Sequence, residues 1–145
     1  MMPSQVRLFT IDMIKALHYC HRQIHVLHRD IKPDNIMLNH NNEAVLIDFG
    51  VSALVHETDH KLLDRNMGTY MLYAPEVFTT TATKSPSSAP PSKQQSGEMT
   101  DIWALGITVY YLLTGRYPCE DARDPISLRD MIIHRPINFD LVKNR

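Results

Sequence analysis

The segment His28-Arg29-Asp30-Ile31-Lys32-Pro33-Asp34-Asn35 constrains this chain more than any other feature. It packs ionisable and amide side chains between two apolar stretches. Pro33 has no amide N–H to give, so a helix does not run through it. Upstream, Val6, Phe9, Met13, Leu17 and Cys20 recur at spacings of three and four, the pattern of one helical face. Ser4 is placed to cap that helix, with Pro3 just before it. Ile24 to Leu27 is short and apolar. Downstream, Ile36-Met37-Leu38 and Ala44-Val45-Leu46-Ile47 flank the polar stretch Asn39-His40-Asn41-Asn42-Glu43. Two short apolar runs around such a stretch read as a hairpin. Asp48-Phe49-Gly50 follows directly.

Val51 to Tyr73 is mostly polar and has no period, which reads as a long surface loop. Thr79 to Gly97 contains Thr79-Thr80-Thr81 and a Ser/Pro-rich run, too poor in apolar residues to order itself. It is expected to be a flexible insertion. Thr100 is placed to cap a helix over Asp101 to Thr114, with Gly115 as its stop. Asp124-Pro125 starts a last helix, about Ile126 to His134, and Pro136 ends it. The expected fold is mainly α with a small β-hairpin. At 145 residues, with 43% hydrophobic and 21% charged content, one globular domain is the limit.

A net charge of -1 carries no footprint for nucleic acid or an anionic membrane. The apolar stretch Ile102 to Leu113 falls short of the roughly 20 residues of a membrane span. Met1 to Thr10 lacks the pattern of a secretory signal. Cys20 and Cys119 stand far apart and form no metal or redox motif. They read as free thiols of a reducing compartment, the cytoplasm. His18, His21, His25 and His28 recur at helical spacing, but no cysteine completes a tetrahedral zinc set. A solvated helix flank followed by a loop histidine is the favoured reading. Tyr70, Tyr73, Tyr110 and Tyr111 read as groove and core aromatics, not as a platform for bases.

The polar block holds the parts that phosphoryl transfer requires: an acceptor for a hydroxyl proton, oxygen ligands for magnesium and positive charge near the phosphate. Asp30 is the acceptor. Lys32 is in reach of a γ-phosphate. The Asn35 amide oxygen and the Asp48 carboxylate are hard donors of the kind magnesium takes.

His28-Arg29-Asp30 with Asn35, then Asp48-Phe49-Gly50, then Ala74-Pro75-Glu76, resembles the ordered motif set of eukaryotic protein kinases. The resemblance runs from the first helix to about Tyr117. It implies the larger, mostly helical lobe of that fold, without the N-terminal lobe. It implies ATP and magnesium as cofactors and protein substrates. By the same resemblance Asp30 is the catalytic base, Asn35 and Asp48 are magnesium ligands, and Phe49 is the packing switch. Asp101 supports the backbone around His28. Met37 and Ile47 fall at positions lining the floor of the nucleotide site, or else are plain strand residues. Lys32, two residues after Asp30, implies serine/threonine specificity, and Gly68-Thr69 agrees.

Arg29 resembles the arginine of kinases controlled through the activation loop. Thr58 is the most natural phosphate acceptor there, and Glu57, Asp59 and Asp64 are alternative partners. Asp48 to Val51, Gly68-Thr69-Tyr70 and Asp101 to Pro118 resemble the calcium/calmodulin-dependent group. They especially resemble the kinase kinases that act on other kinases. Leu72 stands where that family commonly has an aromatic residue. No Gly-x-Gly-x-x-Gly occurs, and only a few residues precede the first helix. A weakly active or inactive chain is therefore expected in isolation. A non-catalytic docking or decoy module is the second reading.

Overall fold

Helix α1 (Pro3–Arg22) opens the computed structural model, whose described residues are 1–54, 70–79 and 93–143, without side chains at 79, 93–96 and 143. Thr58, Gly68-Thr69 and residues 80–92 lie outside them. Val6, Phe9, Met13, Leu17 and Cys20 are buried as the spacing requires, and His21 joins them. Ser4 is inside the first turn and does not cap it. Met2 is the N-cap, and the Gln5 side chain reaches back to accept from its N–H at 3.0 Å. Pro3 is thus at a helical position that has no amide partner to lose.

After a turn in which His25 takes φ 54°, strand β1 (Val26–Leu27) leads into the polar block. A short 3₁₀ turn, Pro33–Asn35, ends it. Strands β2 (Ile36–Leu38) and β3 (Ala44–Leu46) form the expected hairpin, with Ile36 opposite Leu46 and Met37 opposite Val45. Along β3, Ala44 and Leu46 face the core and Val45 faces out, the two-residue alternation of a half-buried strand. Asp12 of α1 fixes the hairpin by accepting the Ala44 N–H at 3.1 Å.

Strand β4 (Ala53–Leu54) pairs antiparallel with β1. This ladder falls inside a segment expected to be loop, because two residues are too few to show a period. Helix α2 (Pro75–Thr79) is followed by α3 (Lys93–Thr114), α4 (Pro125–His134) and α5 (Asp140–Lys143). Helix α3 begins before its expected start. Thr100 is inside it, and the end of the Thr79–Gly97 stretch is helical, since Lys93, Gln94, Gln95 and Glu98 are all good helix formers. Gly115, at φ 76°, ends it, and its N–H donates to Tyr111 O at 2.7 Å, the left-handed glycine stop. Asp124 caps α4 through the Ile126 and Ser127 amides. The four-residue α5 went unforeseen.

The architecture is mostly helical with two small antiparallel sheets. The main core joins Phe9, Met13 and Leu17 of α1 to Ile31, Leu46, Leu72 and Leu105. A second cluster gathers Cys119, Leu128 and Ile132 under Met71 and Trp103. Among the described residues, no helix is long and apolar enough to cross a membrane.

Candidate active site

The polar block is held from below by one buried carboxylate. Asp101, on α3, is 1% exposed. Its Oδ2 accepts the His28 N–H at 2.9 Å, and its Oδ1 accepts the Arg29 N–H at 2.8 Å. His21 Nε2 meets the same Oδ2 at 2.8 Å. Arg29 sits at φ 71°, a left-handed conformation that costs a non-glycine residue roughly 1–2 kcal/mol. The carboxylate clamps the backbone at this strained position.

His28 is fully buried, and its partners assign its tautomer. Nε2 lies 3.0 Å from the Ile47 carbonyl and must donate, while Nδ1 accepts the Asp30 N–H at 3.3 Å. Its ring meets Phe49 edge-on, with centroids 4.7 Å apart. The loop and the segment after β3 are thereby tied together. The Ile47 N–H adds a bond to Asn35 O at 2.9 Å.

Asp30, Lys32 and Asn35 converge. Lys32 Nζ lies 2.7 Å from Asp30 Oδ2, and Asn35 Nδ2 donates to the same oxygen at 2.8 Å and to Asp30 O at 2.9 Å. Among the described residues no donor reaches Asp30 Oδ1. The double engagement of Nδ2 also sets the amide orientation and leaves Asn35 Oδ1 without a donor among those residues. Asp48, exposed and at φ 61°, follows Ile47 and accepts the Gly50 N–H through Oδ1 at 3.1 Å. Among the described residues no three His, Cys, Asp or Glu side chains gather into a metal-holding group. Asn35 and Asp48 do fit magnesium, which takes one or two carboxylates and completes its shell with phosphate oxygens and water.

Met37 is 58% exposed and pairs with Val45, 41% exposed, on the outer face of the hairpin. Ile47 is half-buried. A cavity of about 80 Å³ opens behind Asp30, lined mainly by Ile31, Leu72, Tyr73, Val77 and Ala104. Burial pushes the Tyr73 hydroxyl above its ordinary pKa, and Tyr70 and Asp30 add to that. Trp103 is partly buried, and among the described residues its Nε1 is enclosed without a partner. One expectation needs correction. His21 is 5% exposed and belongs to no solvated flank. Among the described residues it is the contributor to the site that the sequence reading missed. Its signal was present, since it stands four residues after Leu17 on the buried face.

Residues 1–142 match the protein kinase domain family. This chain is a member of the protein kinase family. Among similar kinases, the serine/threonine-protein kinase TOS3 of Saccharomyces cerevisiae is 36% identical over 144 residues, covering 94% of this chain and 24% of its own length. The serine/threonine-protein kinase ssp1 of Schizosaccharomyces pombe is 33% identical over 140 residues, 94% of this chain and 20% of that protein. The sucrose non-fermenting protein kinase 1 of Fusarium virguliforme is 34% identical over 125 residues, 86% and 16% respectively. The chain thus spans a quarter or less of the length of these kinases.

Proposed function

We propose that this chain carries the phosphoryl-transfer centre of a serine/threonine protein kinase. The observation that carries the reading is the geometry at Asp30. Lys32 and Asn35 both occupy Oδ2, which holds the carboxylate still and leaves Oδ1 to accept a proton from a substrate hydroxyl. In the proposed step the hydroxyl oxygen bonds to the γ-phosphorus, the bond to the bridging oxygen breaks, and the proton passes to Asp30. Lys32 sets a positive charge beside the transferring group. Asn35 Oδ1 and the Asp48 carboxylate are the proposed magnesium ligands. Met37 and Ile47 border the proposed adenine site, Met37 by its exposed side chain. ATP would supply the phosphoryl group, and Mg²⁺ would neutralise charge on it.

The likeness to serine/threonine kinases, together with Lys32, supports that substrate class. The finer likeness to kinases that act on other kinases is part of the proposal, resting on Asp48 to Val51 and Asp101 to Pro118. Two free, buried cysteines support a cytoplasmic setting. The test combines two measurements on the purified chain. Mg·ATP should raise the melting temperature, since a ligand at 100 times its Kd stabilises by about 2.7 kcal/mol, and Asp48→Asn should remove the shift. Phosphorylation of a serine peptide, however slow, should vanish in Asp30→Asn. A chain that neither shifts nor phosphorylates is instead the docking module. That second reading is favoured by the exposed apolar side chains Met37, Val45 and Phe49 beside the site.

A further inference from the structure

We propose that the small cavity between α3 and α4 is a site for a soft monovalent cation, Cu(I), bound by the sulfur atoms of Met71, Cys119 and Met131. The cavity measures about 20 Å³, and these three residues line it together with Trp103 and Arg135. A water-sized occupant needs roughly 10–15 Å³, so a single ion fits and an organic molecule does not. The three sulfur-bearing residues come from three places in the fold. Met71 stands just before α2, Cys119 follows α3, and Met131 is on α4. Cys119 is 8% exposed, and both methionines pack against its cluster. The Met131 sulfur is located by Arg135, whose Nη1 lies 3.9 Å from it.

The donor set selects the metal. Thiolate and thioether sulfur are soft ligands and favour Cu(I). Magnesium and calcium take oxygen, and no carboxylate, amide or imidazole side chain lines this cavity. Zinc takes its ligands from cysteine, histidine and carboxylates, of which the cavity offers Cys119 alone. The charges also balance. Burial holds the Cys119 thiol above its ordinary pKa, so it carries its proton at neutral pH. On binding, the S–H bond breaks, the S–Cu bond forms, and the proton leaves to solvent. Copper stays cuprous throughout. The resulting thiolate–Cu(I) pair is neutral, so no net charge is buried, and an unpaired buried charge is what a core resists most. Arg135 does not oppose the ion with a free charge, because its Nη1 donates to both oxygens of Asp121 at 2.8 Å. Trp103 adds an aromatic wall, and tryptophan is the best side chain for attracting a cation.

The plainer role of these residues is packing, since methionine fills irregular gaps in cores. Packing alone asks for neither a thiol nor an open space where the three residues meet. Leucine in place of each methionine keeps the volume and removes the sulfur, which separates the two roles. Cys20 offers an internal control. It is a second buried free thiol, but it lies on α1, outside the second cluster. A cuprous ion in the cavity would tie the segment carrying Met71 to α4. That segment continues into Leu72 and Tyr73, which line the cavity behind Asp30.

The experiment titrates the 145-residue chain with Cu(I) held by bicinchoninate, without oxygen and with a reductant present. Loss of the chelate's colour counts the copper withdrawn, and the fluorescence of Trp103, the single tryptophan, reports where it goes. The chain should take one copper, with the Trp103 emission quenched in step, and its melting temperature should rise because the ligand binds the folded form. Cys119→Ala and the double variant Met71→Leu/Met131→Leu should each weaken copper binding by about tenfold or more, at least the cost of losing an outer partner of a metal site. Cys20→Ala should bind copper as the wild type does. Should Cys119→Ala fail to fold, the double methionine variant decides, since leucine conserves the volume of methionine. Failure to withdraw copper from the chelate, copper uptake that leaves Trp103 emission unchanged, undiminished affinity in the double methionine variant, or an equal loss in Cys20→Ala would overturn the proposal.

Discussion

Replacing Asp101 by asparagine keeps the size of the side chain and removes one acceptor. The carboxylate receives the His28 N–H at 2.9 Å, the Arg29 N–H at 2.8 Å and His21 Nε2 at 2.8 Å. An amide has one oxygen to offer. Placed where Oδ2 is, that oxygen serves His28 and His21, and the new NH₂ faces the Arg29 N–H. Placed where Oδ1 is, it serves Arg29, and the NH₂ faces the His28 N–H. His21 could accept from it by changing tautomer, but a backbone N–H cannot. In both arrangements one enclosed backbone donor and one amide donor confront each other. Two unsatisfied donors cost about 1–3 kcal/mol each, and relaxation of the strained Arg29 returns roughly 1–2 kcal/mol. At the middle of these ranges the expected net loss is about 2.5 kcal/mol, a large share of the 5–15 kcal/mol that holds an ordinary domain. Urea denaturation followed by the fluorescence of Trp103, the single tryptophan, should show a lower midpoint with an unchanged slope. A loss under about 0.5 kcal/mol would mean that water satisfies these amides as well as the carboxylate does. Asp101 would then not be the anchor of the loop.

Gly97→Ala should destabilise, although alanine in a helix ordinarily gains about 1 kcal/mol over glycine. The added Cβ would collide with Leu27 Cδ1 and lie 3.3 Å from Cδ2 and 3.4 Å from Cγ. Leu27 is 1% exposed, so its side chain shifts only at the cost of its own core packing, and overpacking at about 1–3 kcal/mol prevails. A raised melting temperature would refute this. The Asp121 carboxyl should titrate below its usual range because Arg135 Nη1 donates to both its oxygens at 2.8 Å. A depressed folded pKa means the pair's contribution is present at neutral pH and is lost as pH falls through that lowered value. Carbon NMR titration should place the midpoint higher in Arg135→Gln, and an unmoved midpoint would dismiss the pairing.

What could be read from sequence follows the range of the interactions concerned. The α1 face and the hairpin were legible because burial repeats within them at 3.6 and two residues. Gly115 and Asp124 were legible because a helix end needs a left-handed residue or a side-chain acceptor within a few positions. The pairing of β1 with β4 was not, since two-residue strands carry no period and their partners are 28 positions apart in the register Val26 to Leu54. The early start of α3 was hidden because Gly97 and the serines beside it resemble a loop until Leu27 is known to press against that glycine. His21 was misread for a similar reason. Its partner lies 80 residues away, and a histidine on a helix shows its burial only by phase.

The two sides of the polar block are built on different physical terms. Beneath it, Ile31, His28, Asp101 and Leu17 are almost wholly enclosed, so the loop backbone is set by packing and by hydrogen bonds to buried partners. Above it, Met37, Val45, Phe49 and Asp48 are open. Catalytic groups gain most from being placed before the substrate arrives, because positioning can lower a barrier by several kcal/mol. Asp30, Lys32 and Asn35 already have that placement through bonds among themselves and through the clamp on Arg29. Among the described residues, Asp48 is placed only by its backbone and one bond to Gly50. Nucleotide binding should therefore alter the exchange and chemical shifts of Asp48 to Gly50 far more than those of His28 to Asp30. The reverse pattern would show that the loop is assembled by its ligand and not by the helices below.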